Sequence, residues 1–236
     1  MYFFHSGEIW KEFPQLVPGL MYVTGITPTR HPGPRLHFWL QKAKDRLAEA
    51  QESRFPEVVA WRNVYSRMGL KPSKYRSAAE ALLRRVRKTG DLPRLHPLVD
   101  MCNAVSVAFA IPVAVLDIDR VAGSLEVCKA TGSEEYLAFS GEVEHPHKGE
   151  VIFRDENNHA HARRWTFRQS RLSTVSESTS RAMIISEGMH ESAVEDVPTL
   201  LNVLCQELLA LGFDCSEPMV LTAQDPRFII EPQNIE

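Results

Sequence analysis

The sequence has no apolar run long enough to cross a bilayer: the longest, such as Val105–Leu116, fall short of the roughly 20 residues a span needs. No basic flank precedes an apolar stretch at the N-terminus, so neither a membrane span nor an export signal is expected. Cysteine is scarce. Cys102, Cys128, Cys205 and Cys215 lie far apart with no C-x-x-C pair, which excludes a disulfide mini-protein, a zinc knuckle and a thioredoxin motif and predicts reduced, buried thiols in the cytoplasm. A G-x-S-x-G elbow, a P-loop and a G-x-G-x-x-G turn are all missing, so the usual signatures of serine hydrolases, nucleotidases and dinucleotide-binding enzymes are absent. There is no internal repeat and no low-complexity tract.

What is present is ordinary globular composition: 236 residues, 44% hydrophobic and 24% charged, with a net charge of -3. The 15 prolines are scattered as punctuation, and the expectation is a single compact domain over residues 1–236. The near-neutral total hides a division. Arg62 to Arg94 carries ten Lys/Arg against two acids, whereas Glu187 to Glu236 carries ten acids against one Arg. A basic segment of this kind suits a polyanion, although a solvated helix face produces the same pattern.

Periodicity predicts a mixed α+β order without the βαβα alternation of a doubly wound sheet. A glycine-bounded strand at 19–25 precedes a helix with Leu36, Leu40, Ala43 and Leu47 on one face. Ser77 stands three residues before Glu80 and opens a capping-box helix running to Gly90, with Arg84, Arg85, Arg87 and Lys88 on its outer side. An apolar helix over Leu95–Phe109 is followed by a buried strand, Val113 to Asp117. Short strands are expected at 124–130, 135–139, 150–153, 162–167 and 182–186, and a final helix carries Val194 to Leu211 and stops at Gly212.

Two histidine pairs, His145 with His147 and His159 with His161, raise a metal site. No third carboxylate or thiol sits at a recognised offset, and the neighbouring Asn and Gly residues point to exposed loop histidines. The hydroxyl-rich stretch from Ser170 to Ser180 is either a hydroxyl-lined pocket or a polar loop.

More specific is an ordered series: Val99-Asp100 and Asn103, Ile111-Pro112, then Leu116-Asp117. It resembles the B3/B4 editing domain of the phenylalanyl-tRNA synthetase β subunit, where a V-D-x-x-N helix start, a Q-P or L-P at the beginning of a strand and an F-D or Y-D strand end occur in that order. Trp61-Arg62, Tyr65, Gly69 to Pro72 and Tyr75-Arg76 upstream, and Gly149 to Phe153, Arg164-Trp165, Arg168 to Ser170 and Thr179 to Glu187 downstream, resemble freestanding members of that family. The resemblance covers about residues 58–188. It implies an α+β B3/B4 fold, a β-sandwich of unusual topology with flanking helices, and removal of a wrong amino acid from tRNA by hydrolysis of the 3′ ester. Freestanding members act in trans and include deacylases of canavanyl-tRNA(Arg). No ATP-binding module accompanies the motifs, so editing without aminoacylation is the implied activity. Two positions depart from the synthetase pattern: Ala114 replaces a His, and Ser170-Arg171-Leu172 falls where a Gly-Gly-Glu selector is expected. Both departures point away from tyrosine as the substrate.

Hydrolysis of an already reactive ester needs a positioned water, donors for the developing oxyanion and a selective pocket; neither a nucleophile nor a cofactor is obligatory. Asn103, expected at a helix start, is the candidate for orienting the substrate, and Arg168, Gln169 and Ser170 are candidate pocket-lining donors. Asp100 either receives the substrate ammonium or caps the helix. Cys102 stands where the synthetase pattern has Thr, and is read as a buried thiol beside the substrate rather than a nucleophile. Asp100, Asp117 and Glu187 are the carboxylates in matched positions that suit a guanidinium-like side chain. For the tRNA itself, Arg62, Lys71, Lys74, Arg76, Arg84, Arg85, Arg87 and Lys88 are candidate phosphate contacts, and Tyr75 a stacking platform for the unpaired 3′ end. The alternatives are a noncatalytic RNA-binding module and a histidine-based metal hydrolase.

Overall fold

The computed structural model describes residues 1–230; the six that follow, with Glu231 and Glu236 of the acidic tail, lie outside the described residues. In chain order the elements are β1 (Tyr2–His5), α1 (Gly7–Glu12), β2 (Val17–Thr24), α2 (Gly33–Glu49), α3 (Pro56–Arg67), α4 (Ala78–Thr89), α5 (Pro97–Phe109), β3 (Val113–Asp117), β4 (Leu125–Lys129), β5 (Tyr136–Leu137), β6 (Val143–Glu144), β7 (Val151–Asp155), β8 (Ala160–Arg163), β9 (Arg168–Gln169), β10 (Ala182–Gly188), α6 (Ala193–Ala210), β11 (Asp214–Cys215), β12 (Met219–Val220) and β13 (Arg227–Ile229).

One sheet has the order β13-β1-β4-β7-β8-β9, and the other runs β11-β2-β10-β3, with β12 also on β2. The period of two along β10 explains how they stack. Met183 and Ile185 point into a core shared with Phe3, Leu125, Val127 and Phe153 of the first sheet, whereas Ala182 and Ile184 pack against Met101, Val105, Leu201 and Leu204 of α5 and α6. A central strand covered on both faces is buried throughout, and β10 is. The architecture is thus sheet on sheet, with a helical layer over the outer face of the second sheet. α6 approaches β2 closely because residue 19 is glycine: a Cβ there would stand 2.5 Å from Leu201 Cδ1 and 2.6 Å from Val197 Cγ1.

Local chemistry sets the helix ends. The Ser77 side chain accepts from the Glu80 backbone N–H, and Gly90 takes the left-handed conformation (φ 76°) that closes α4. α5 begins at Pro97, with His96 Nδ1 accepting from the Leu98 N–H at 3.2 Å and Asp100 Oδ1 accepting from the Leu95 N–H at 2.8 Å. Asp100 therefore secures the start of the helix. Asn103 is not at a helix start, as expected from the sequence, but well inside α5, where N–H groups are already bonded within the helix.

Two further expectations are corrected. The strand over 162–167 breaks after Arg163, because Arg164 (φ 49°) and Trp165 (φ 58°) both adopt the left-handed region, although neither is glycine. The histidines are not all exposed: His161 is fully buried with Nε2 3.1 Å from Asp155 Oδ2. Burial alone would raise the Asp155 pKa, but hydrogen bonds from His161 and from the His159 and Ala122 N–H groups hold it well below the usual carboxylate range. This cluster pins the turn between β7 and β8. Among the described residues, no group of three or more His, Cys, Asp or Glu is placed to hold a metal, and no helix is long and apolar enough to cross a membrane.

Candidate functional site

A small cleft of about 70 Å3 lies between the two sheets. Its walls are apolar: Val113, Ala114 and Leu116 on β3, Ile185 on β10, Phe153 on β7 and Ala162 on β8. At one end stand Arg168, Gln169, Thr166, Phe167 and the first residue of α4, Ala78. Glu187 is the one carboxylate in the lining. It continues the face of β10 that carries Met183 and Ile185, so the strand's alternation itself delivers a carboxylate to the inter-sheet space.

Glu187 is 2% exposed, and its hydrogen bonds are one-sided. Oε1 accepts from Trp165 Nε1 at 2.9 Å and from His5 Nε2 at 2.7 Å, and Oε2 makes no hydrogen bond within the described residues. The strained pair at Arg164-Trp165 serves this arrangement. Left-handed residues other than glycine cost about 1–3 kcal/mol each, and here they are held by Trp165 N–H to Val151 O (2.8 Å), Arg164 N–H to Glu150 Oε1 (3.2 Å) and the Trp165 indole edge-on to Phe13 and Trp61 (4.9 and 5.3 Å). Glu150 is itself clamped by the buried Arg163 guanidinium through two bonds of 2.8 and 3.0 Å. Burial would raise the Glu150 pKa, but Arg163 and Arg164 hold it below its ordinary value. The turn thus sends Trp165 to Glu187 and the largely buried Arg164 side chain to the opposite side, 3.7 Å from Glu150.

There the Arg164 guanidinium lies 4.8 Å above the Tyr75 ring, and Tyr75 meets Phe167 edge-on at 5.3 Å. Lys74 Nζ is 5.4 Å from the same Tyr75 ring. Since Phe167 lines the cavity, this half-buried aromatic pair with two cations borders its mouth. The α4 N-terminus abuts the same turn, with the Ala78 N–H donating to Thr166 O at 2.8 Å.

The cavity brings together only part of the set expected from sequence. Glu187, Arg168 and Gln169 line it. Gln169 Nε2 donates to Val115 O (2.8 Å) and Ser173 O (3.3 Å), while Ser170 is fully buried and donates to Leu137 O (3.0 Å); both therefore brace β9. Arg168 keeps a half-exposed guanidinium whose nearest acid, Glu144, is 3.9 Å away. Asp117 is occupied by the Asp119 N–H (3.0 Å) and the Thr179 hydroxyl (2.7 Å), and Asp100 by the Leu95 N–H. Cys102 points from α5 into the core, where burial pushes its thiol pKa far up. Asn103 is half-buried and outside the lining.

The basic segment divides in the same way. Arg62 grips buried Glu80 through two bonds (3.1 and 2.6 Å), and Arg76 Nε is 3.5 Å from it. Arg84 and Arg87 converge on buried Glu52 at 3.4 and 2.8 Å. Burial would raise the Glu52 pKa, but Arg87 and Arg84 bring it below the ordinary value. Lys71, Lys74, Arg85 and Lys88 are exposed and form no ion pair among the described residues. Sequence reasoning missed His5, 182 positions from Glu187; its only local signal is the β-prone aromatic run Tyr2-Phe3-Phe4.

The family described as the B3/4 domain matches residues 60–203. Among solved structures, the chain is similar to an N-terminal fragment of the phenylalanyl-tRNA synthetase β-subunit from Pyrococcus horikoshii, at 10% identity and a TM-score of 0.49. The match covers 90% of this chain and 49% of the other, so the chain spans about half the length of that fragment. No curated protein matches the sequence.

Proposed function

The chain belongs to the B3/4 domain family, and from that premise we propose that it hydrolyses the 3′ ester of a mischarged aminoacyl-tRNA whose amino acid has a cationic side chain, canavanyl-tRNA(Arg) being the foremost instance. The observation that carries this reading is Glu187: the one carboxylate in a cavity with apolar side walls, with one oxygen saturated and the other open. Apolar walls suit a methylene stem, and the open oxygen suits a guanidinium at its end. A hydrogen bond to a charged group contributes about 1.5–3 kcal/mol, or roughly 10–150-fold in selection over an uncharged side chain. Asp100 and Asp117, already engaged by backbone and hydroxyl donors, are not available for that task.

With the side chain seated there, the ester lies towards Arg168 and the α4 N-terminus. A guanidinium and the positive end of a helix both favour the oxyanion that forms when water attacks the carbonyl carbon. The attacking water loses its proton, the bond to the ribose oxygen breaks, and the ribose 3′ oxygen leaves as the alcohol. Tyr75 and Phe167 offer aromatic surface to the terminal base, and Arg164 and Lys74 offer charge to its phosphates. The orienting role expected of Asn103 passes to these lining groups.

Turnover of canavanyl-tRNA(Arg), with arginyl-tRNA(Arg) as control and EDTA present, tests the reading. Release of canavanine is expected; arginine also carries the cationic group that Glu187 meets, so the control reads discrimination that Glu187 alone does not supply. Salt-sensitive tRNA binding without release from either species would instead identify a noncatalytic RNA-binding module, and activity abolished by EDTA would point to a metal.

A further inference from the structure

We propose that His5 is a positioning residue that fixes the plane of the Glu187 carboxylate, and with it the direction of its open oxygen, and so sets the preference for a cationic side chain; the proposal rests on the deacylase reading above. His5 lies on β1, outside residues 60–203 matched by the family. β1 is threaded between β4, to which it runs parallel with His5 opposite Val127, and β13, to which it runs antiparallel. The Ser6 N–H donates to Val127 O at 2.9 Å, and the Ser6 side chain caps α1, so the residue after His5 is anchored twice.

The imidazole is held edge-on between Phe3 (5.2 Å, 84°) and Trp10 (5.4 Å, 63°), with its side chain fully buried. An ionised carboxylate only accepts, so the 2.7 Å contact requires the hydrogen on Nε2. Among the described residues, Nδ1 is buried without a partner, and the His5 side chain meets polar groups through Glu187 alone. Trp165 and His5 both donate to Oε1. Rotating the carboxylate would break both bonds at once, which holds Oε2 towards the cavity. With the imidazole donor gone, the carboxylate is free to turn about its single indole bond, and the open oxygen is no longer aimed. A positioning role of this kind acts on binding of the cationic group and not on the attack of water.

The test compares the full chain with His5→Phe, which fits an aromatic nest but cannot donate, His5→Gln, which restores an N–H donor, and Glu187→Gln. Single-turnover deacylation of canavanyl-tRNA(Arg) is followed against enzyme concentration. His5→Phe should raise the half-saturating concentration about tenfold with the maximal rate within about threefold of the parent, and His5→Gln should recover most of the loss. An unchanged half-saturating concentration in His5→Phe, or a loss confined to the maximal rate, overturns the proposal while an impaired Glu187→Gln leaves the deacylase reading standing. An unimpaired Glu187→Gln, or no release by the parent, overturns that reading and the proposal with it. Long-range 1H–15N spectra of the parent supply an arm independent of activity and of variant folding. His5 should be protonated on Nε2, and a hydrogen on Nδ1 instead overturns the proposal.

Discussion

Replacing Glu187 with glutamine removes the one carboxylate from the cavity lining while keeping its size, and the consequences for fold and for selection separate cleanly. For the fold, the amide oxygen still accepts from Trp165 Nε1 and His5 Nε2, now without charge assistance, which about halves the strength of such bonds. Relief of the desolvation of a buried charge works in the opposite direction. The net change in unfolding free energy should be no more than about 1–2 kcal/mol, visible as a small drop in Tm. For selection, the cationic side chain loses its partner at Oε2. A charged hydrogen bond is worth about 1.5–3 kcal/mol, so kcat/KM for canavanyl-tRNA(Arg) should fall roughly 10–150-fold, with most of the change in KM. An ester with a neutral side chain should be hydrolysed no worse than before. The assay is single-turnover release of labelled amino acid from the two tRNAs, alongside thermal unfolding of both proteins. An equal fall for the charged and neutral side chains, or no fall at all, would refute the reasoning.

Other consequences follow from the placement of the basic residues and the packing. Arg85 and Lys88 make no ion pair among the described residues, so Arg85→Glu or Lys88→Glu should weaken tRNA binding and lower the slope of log K against log salt by about one for each phosphate no longer neutralised, measured by filter binding across a salt series. Arg62→Ala instead leaves the buried Glu80 carboxylate with Arg76 alone, at 3.5 Å; its main effect should be destabilisation of about 2–4 kcal/mol in urea unfolding. Gly19→Ala drives a methyl into Val197 and Leu201 and should cost about 1–3 kcal/mol, read from the same unfolding curves. Asp155 has a pKa lowered in the folded state, so its stabilisation is present above the unfolded value of about 4 and is lost as pH falls through the folded value. Asp155→Asn should therefore lower stability at neutral pH and flatten the decline below about pH 4.

The elements legible in the sequence are those whose signals are local. Ser77, Glu80 and Gly90 mark both ends of α4, and the spacing of apolar residues marks α2, α5 and α6. α3 was not legible, because its apolar face is interrupted by the buried Glu57, which pairs with Arg46 of α2 at 2.8 Å. The break of the strand at Arg164-Trp165 had no signal either, since neither residue favours the left-handed region and only the surrounding bonds to Glu150, Val151 and Glu187 hold it. For the site, sequence narrowed the carboxylates to Asp100, Asp117 and Glu187. Choosing among them required the partners: Asp100 is engaged by the nearby Leu95 N–H and Asp117 by Thr179, 62 positions away, whereas Glu187 is held by Trp165, 22 positions away, and by His5, 182 positions away.

The central claim is that charge at the end of the amino acid's side chain, met by Glu187, favours esters of cationic over neutral amino acids. The most direct measurement charges one arginine tRNA with canavanine and, separately, with O-ureidohomoserine, its uncharged isostere, and compares single-turnover release. Release of canavanine faster by about tenfold or more is the predicted result; equal release of the two would contradict the account.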